Sequence, residues 1–120
     1  MGKRRLIAFA CAAMLAMPVG ESAGGTSAVA RGANGAITPT RAAELEHMVV
    51  QDCGSCHGLT MKGGLGTPIT AADLAGFDPE GLAAIILDGV PGTAMPPWRP
   101  LITEPEALWI ADYLQKEKVE

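Results

Sequence analysis

The spacing of apolar and polar residues along the chain predicts three main helices. The first begins at Pro39 and continues through residues 41–51, where apolar side chains recur at intervals of three and four positions, as on one face of a helix. These side chains are Leu45, Met48 and Val49. Thr38 and Pro39 supply an N-cap and a proline at the first helical position. The first helix therefore leads directly into the segment that begins at Cys53.

The second helix begins at Asp78, which we expect to be its N-cap, with Pro79 at the first position. It ends at Gly89, a residue type that favours the C′ position. Its predicted apolar face consists of Leu82, Ile85 and Ile86. A shorter helical turn is predicted over residues 70–75.

The third helix opens with a capping box, in which Thr103 and Glu106 are the paired residues, and extends to Lys116. Its predicted buried stripe, with Tyr113 beside it, is Ala107, Ile110, Ala111 and Leu114.

The segments between the helices have the composition of loops. Residues 58–68 contain four glycines, and residues 90–101 contain four prolines, which exclude a regular helix there. No stretch shows the strict alternation of a β-strand. The predicted fold class is therefore all-α.

The N-terminal part of the chain has the pattern of a secretory signal. A basic triplet, residues 3–5, precedes an apolar run of 12 residues over 6–17, which is too short to span a bilayer comfortably. We expect a signal peptide and flexible leader over residues 1–30, cleaved between about 20 and 30, a disordered linker over 31–37 and one domain over 38–117. The alternative is an anchor that is retained. The expected location is the periplasm, without stable membrane insertion after processing.

Charge narrows the choice of partners. The chain has 9 basic and 13 acidic residues, a formal net charge of −4, and loss of residues 1–30 would remove three basic groups and one acidic group. The processed chain would then be more acidic still. This composition disfavours nucleic acid and predicts protein partners that offer a basic surface.

The residues with the clearest chemistry are Cys53, Cys56 and His57, in a C-x-x-C-H run. Such a run attaches a c-type haem through its two thiols, and the histidine becomes an iron ligand. Two alternatives use the same residues. A zinc site would need a fourth ligand, for which His47 remains, and a thioredoxin-like redox pair would need a preceding strand, where a helix is predicted.

A haem iron with two protein ligands needs a second one from a later part of the chain. Met95 stands 38 residues after His57, in a loop whose small residues and prolines suit close approach to a ring. Met61 follows His57 closely, so we predict that it packs in the loop. Met48 is expected in the core, and His47 on a helix surface.

The order of helix, C-x-x-C-H run, glycine loop, Pro68, helix, methionine loop and C-terminal helix resembles a class I cytochrome c. The resemblance implies a fold of three main helices and loops around one covalent haem c. It also implies that the carbonyl of Pro68 accepts a hydrogen bond from His57. Leu45 and Val49 match the positions that meet the C-terminal helix at Ile110 and Tyr113, although the family usually has glycine at the first of these.

A narrower resemblance is to the small NirC-type cytochromes encoded with cytochrome cd1 nitrite reductase in denitrifying bacteria. It rests on residues 53–60, on residues 62–66 and on residues 91–100, a segment that contains Met95. The resemblance implies an electron carrier, not an enzyme, that donates to the nitrite reductase system. Alternatives are a maturation factor for haem d1 biosynthesis or insertion and, less favoured, a haem sensor or peroxidase-like enzyme.

The surroundings of the haem can also be predicted. Trp98 and Arg99 follow the methionine loop, where they either contact a haem propionate or form a surface rim. The expected apolar lining of the pocket is Leu65, Ile69, Leu74, Leu82, Ile85, Ile86 and Leu101.

Overall fold

A computed structural model of the protein describes residues 36–116. The helices, in chain order, are α1 (Pro39–Met48), a π-helical turn (Val49–Cys53), α2 (Gly54–His57), α3 (Ala71–Leu74), α4 (Pro79–Asp88) and α5 (Glu104–Lys116). The predicted all-α fold is confirmed. The predicted signal peptide and leader, nearly all of the predicted linker, and residue 117 lie outside the described residues. None of the helices within residues 36–116 is long and apolar enough to cross a membrane.

Side-chain caps begin the helices where the sequence predicts them. The Thr38 hydroxyl accepts a hydrogen bond from the backbone N–H of Arg41 at 3.2 Å, and Asp78 accepts one from the N–H of Gly81 at 2.9 Å. Thr70 forms a complete capping box for α3. Each cap satisfies an N–H group that the first turn of a helix leaves unpaired, so local sequence fixes these helix starts.

The core lies between α5 and the helices that pack on it. The predicted stripe on α5 is buried along its whole length. The face of α4 differs from the prediction, because Leu82, Ala83 and Leu87 are its buried residues. Ile85 is 41% exposed, since its side chain borders the cavity described below rather than the helical core.

The contact between α1 and α5 combines an apolar centre with a buried ion pair. Leu45 and Val49 have no exposed surface, and Ile110 has 1%. Beside them, Nε of Arg41 lies 2.7 Å from Oε1 of Glu106, whose side chain is 1% exposed. The leucine that replaces the usual glycine at the first family position is therefore accommodated within the core.

A π-helical turn connects α1 to the C-x-x-C-H run. The N–H of Gly54 donates to the carbonyl of Val49, five residues earlier, which gives the wider turn of a π-helix. Val49 remains in the core, whereas Cys53 at the end of the turn lies on the cavity wall. The wider turn thus lets Val49 face the core and Cys53 face the cavity while the chain remains helical.

A candidate haem-binding cavity

One cavity brings together the residues that the sequence singles out for haem attachment. It has a volume of about 690 Å³ and a largely apolar wall, within the range of about 300–1,000 Å³ typical of ligand pockets. Four of its lining residues carry the thiol, imidazole and thioether groups that the sequence singles out: Cys53, Cys56, His57 and Met95. The methionine is brought to the same space as the C-x-x-C-H run although many residues separate them in sequence.

The imidazole of His57 is oriented by a backbone carbonyl. Its Nδ1 lies 2.7 Å from the oxygen of Thr67. Because a carbonyl can only accept, Nδ1 must be the protonated nitrogen, which leaves the lone pair of Nε2 available to a metal. The acceptor is thus Thr67 and not Pro68, so the prediction based on the family pattern is wrong by one residue.

Pro68 acts on this carbonyl indirectly. A residue before proline is restricted to extended backbone, and the Pro68 ring packs so closely on Gly63 that an added Cβ there would lie 3.2 Å from Pro68 Cγ. Pro68 does not itself line the cavity. Its restriction and packing hold the preceding Thr67 carbonyl toward His57.

Gly66 gives the histidine the space that it occupies. A Cβ at this position would lie 2.9 Å from both Cε1 and Nδ1 of His57, closer than carbon atoms approach in folded proteins. Gly66 belongs to the predicted glycine loop. The loop composition was visible in the sequence, but the particular contact was not.

The thiols of Cys53 and Cys56 both belong to partly buried residues, and neither forms a disulfide. Burial, followed by the nearby charge of Asp52, raises the pKa of the Cys53 thiol to about 11. A redox-active thiol pair of the thioredoxin kind requires a lowered pKa. Together with the helix that precedes it, this shift disfavours the thioredoxin-like alternative.

The loop that carries Met95 is folded back on the end of α4. The N–H of Val90 donates to the carbonyl of Met95 at 3.2 Å, and Leu87 accepts from the N–H of Trp98 at 3.0 Å. Gly89, with φ of 66°, lies under this loop, where an added Cβ would be 2.6 Å from the Met95 oxygen. These contacts hold Met95 at the cavity wall.

Trp98 and Arg99 have different positions. Trp98 lines the cavity, whereas Arg99 does not. The Nε of Arg99 instead lies 2.5 Å from Oδ1 of Asp88, and both side chains are more than half exposed. Arg99 therefore lies at the surface and pairs there with a carboxylate of the protein; its contact with a haem propionate stays a prediction.

The remaining candidates occupy other parts of the fold. Met48 packs against the core, as predicted, and Met61, which was predicted to pack in its loop, is 1% exposed and belongs to the core. His47 is exposed on α1 and does not line the cavity, so it is not placed as a fourth ligand for zinc. Leu101, predicted in the lining, is 65% exposed because the turn after Trp98 directs it outward.

The chemistry of the cavity fits a c-type haem. Thiols, an imidazole with one free nitrogen and a thioether are the groups that attach such a haem and bind its iron. The rest of the wall suits an apolar ring. It includes six of the seven predicted lining residues, all but Leu101, and adds Phe77, Val90 and Ile110, among others.

Comparison with known proteins gives the family. A family model described as cytochrome C oxidase, cbb3-type, subunit III matches residues 40–114. A cytochrome c55X of Paracoccus denitrificans is 70% identical over 77 residues, which cover 64% of this chain and 75% of that protein. A cytochrome c55X of Pseudomonas aeruginosa is 50% identical over 74 residues, 62% of each chain.

A solved structure of a c-type cytochrome NirC is 46% identical in sequence and superposes with a TM-score of 0.64, covering 66% of this chain and 93% of that one. The matched segment contains the whole cavity. The chain therefore belongs to this cytochrome c family, which implies haem c, and is an electron-transfer protein of the small NirC type with the class I fold.

Proposed function

We propose that the protein is a periplasmic carrier of single electrons with one haem c, and that it donates electrons to cytochrome cd1 nitrite reductase. Cys53 and Cys56 would attach the haem, and His57 and Met95 would be the axial ligands. The observation that carries this proposal is the convergence of these four side chains on one apolar cavity. The similarity to the solved structure of a c-type cytochrome NirC supports the link to denitrification.

Haem c, when bound, supplies one-electron chemistry between ferrous and ferric iron. The protein residues supply the selectivity. Thr67 holds Nδ1 of His57 as a donor, which keeps Nε2 free for iron and makes it more basic. Met95 would hold the iron through its thioether, which would favour the ferrous state, and with His57 also bound no position would remain open for a substrate. This is the arrangement expected of a carrier rather than a sensor or peroxidase.

Substitution of Met95 tests the ligand assignment. We expect Met95→Ala to retain covalent haem but to bind added imidazole at the sixth position, with loss of the methionine–iron band in the ferric visible spectrum. Met61→Leu is a matched control, because it removes a thioether that is buried in the core. A Met95→Ala protein with the parent spectrum and no new ligand binding would remove Met95 from the site.

The partner is tested separately, in a strain that lacks the protein and with purified components. We expect the reduced protein to reoxidise when mixed with cytochrome cd1 nitrite reductase, and fractionation to recover it from the periplasm. In the deletion strain, the reductase should still contain haem d1 and work with an artificial donor. A reductase without haem d1 would instead indicate the maturation role.

A further inference from the structure

The loop between α4 and α5 has few backbone groups with which to hold itself in place. Four of its residues are prolines, which have no N–H to donate: Pro91, Pro96, Pro97 and Pro100. Its backbone bonds to other segments reach the end of α4, where Leu87 accepts from the N–H groups of Trp98 and Arg99 at 3.0 and 3.2 Å. A side-chain contact at this junction would add to these backbone hydrogen bonds in holding the loop on α4.

Such a contact exists between Asp88 and Arg99. Asp88 is the last residue of α4, and its Oδ1 lies 2.5 Å from Nε of Arg99, four residues beyond Met95. The pair thus closes the chain segment that contains Met95. Within residues 36–116, two other ion pairs have an exposed carboxylate, Arg41 with Glu44 and Lys116 with Asp112, and each joins residues three or four apart on one helix.

We propose that Asp88 and Arg99 are positioning residues for the sixth iron ligand, and that their ion pair keeps the methionine loop closed on α4 with Met95 at the cavity. This rests on the proposed role of Met95 as a ligand. Neither side chain touches the haem cavity. They act through the loop: opening the pair would allow Met95 to leave, and an added ligand would compete better for the same position.

The expected effect is modest, because exposed ion pairs are weak and are screened by salt. The usual strength of such pairs corresponds to a change of about two- to fivefold in an equilibrium constant. We expect the pair to have this effect on the competition between Met95 and an added ligand. The effect should be largest at low ionic strength.

The test is a titration of the ferric holoprotein with imidazole at low ionic strength, followed by the visible spectrum. Asp88→Asn and Arg99→Gln should each bind imidazole about two- to fivefold more tightly than the parent. The double variant should bind no more tightly than either single variant, because both remove the same interaction. Lys116→Gln is the matched control. It breaks the exposed ion pair on α5 in which Nζ of Lys116 lies 2.6 Å from Oδ1 of Asp112, and it should leave the affinity for imidazole unchanged.

Salt provides a second readout. High salt should raise the imidazole affinity of the parent toward that of the variants and change the variants less. Equal affinity in parent, Asp88→Asn and Arg99→Gln would overturn the proposal. So would an effect of Arg99→Gln with a silent Asp88→Asn, which would indicate that Arg99 acts on another acid, such as Glu104 or a haem propionate.

Failure of this proposal can be told apart from failure of the ligand assignment. If Met95→Ala opens the sixth position while the Asp88 and Arg99 variants behave as the parent, Met95 is the ligand and the ion pair does not position it. If Met95→Ala keeps the parent spectrum and binds nothing new, both the ligand assignment and the positioning role are wrong.

Discussion

His57 is held between a carbonyl that orients it and a glycine that leaves it room. The carbonyl of Thr67 lies 2.7 Å from Nδ1, and a Cβ on Gly66 would lie 2.9 Å from the same nitrogen. We expect Gly66→Ala to displace the imidazole and weaken this hydrogen bond. The free energy of unfolding of the holoprotein should fall by about 1–3 kcal/mol, the usual effect of overpacking a well-packed site.

Denaturant unfolding, together with the ferric spectrum, measures this effect. Gly76→Ala is the matched control, since a Cβ at Gly76 has nothing within 4 Å. If the two alanine variants unfold alike and have the parent spectrum, the space at Gly66 does not constrain His57.

The sequence predicted the chemical identity of the site better than its contacts. Residue types and spacing were enough to single out Cys53, Cys56, His57 and Met95, which the fold brings to one cavity; their roles toward haem stay predictions. The choice between the carbonyls of Thr67 and Pro68 depends on the path of the glycine loop, which residue types do not determine. The pairing of Arg99 with Asp88 spans 11 positions and has no local signal.

At the scale of elements, the α1–α5 contact depends on a buried carboxylate. Glu106 accepts hydrogen bonds from Arg41 at 2.7 Å and from the N–H and hydroxyl of Thr103 at 2.7 and 2.9 Å. Burial acts to raise the pKa of Glu106, but these three donors together bring it below its ordinary value. The charged form is therefore the one that the folded protein stabilises.

The sign of the pH dependence follows from this lowered pKa. The unfolded chain takes up the proton first as the pH falls, so the stabilisation is complete above the ordinary glutamate pKa of about 4.3 and is lost as the pH falls through the lower, folded value. We expect Glu106→Gln to reduce the free energy of unfolding at pH 7 by about 1.5–3 kcal/mol, as for hydrogen bonds to charged groups. Its difference from the parent should shrink below about pH 4.

Denaturant unfolding of the holoprotein at pH 7 and in acid checks this prediction. Glu104→Gln is the control, because Glu104 is an exposed glutamate in the same first turn of α5. A Glu106→Gln protein that loses the same stability at both pH values would contradict the assigned role of the charge.

Helix positions were predictable because their signals are local. The threonine and aspartate caps and the four-residue stripe of α5 lie where propensity and periodicity place them. The π-helical turn was not predicted, since one changed hydrogen-bond register leaves no periodic signal. The burial of Glu106 was also missed: its capping position was visible, but its partner Arg41 comes from a different helix.

At the scale of the molecule, ion pairs within the chain occupy most of its basic side chains and leave an acidic surface. Three of the four lysines and arginines within residues 36–116 form ion pairs with acidic side chains: Arg41, Arg99 and Lys116. Several carboxylates are exposed, among them Asp52, which also lines the cavity. A partner that approaches the cavity therefore meets a negative field, which favours a basic docking surface.

This charge distribution predicts how electron transfer to the proposed nitrite reductase depends on salt. The second-order rate should fall as ionic strength rises, because screening weakens attraction between opposite charges.

Asp52→Asn should slow the reaction about twofold at low salt, since one charge about 10 Å from a partner cation in water contributes about 0.4 kcal/mol. Glu46→Gln removes an exposed charge that does not line the cavity and should have a smaller effect. Stopped-flow mixing over a salt series measures all three rates, and a rate that rises with salt would mean that the partner presents an acidic surface.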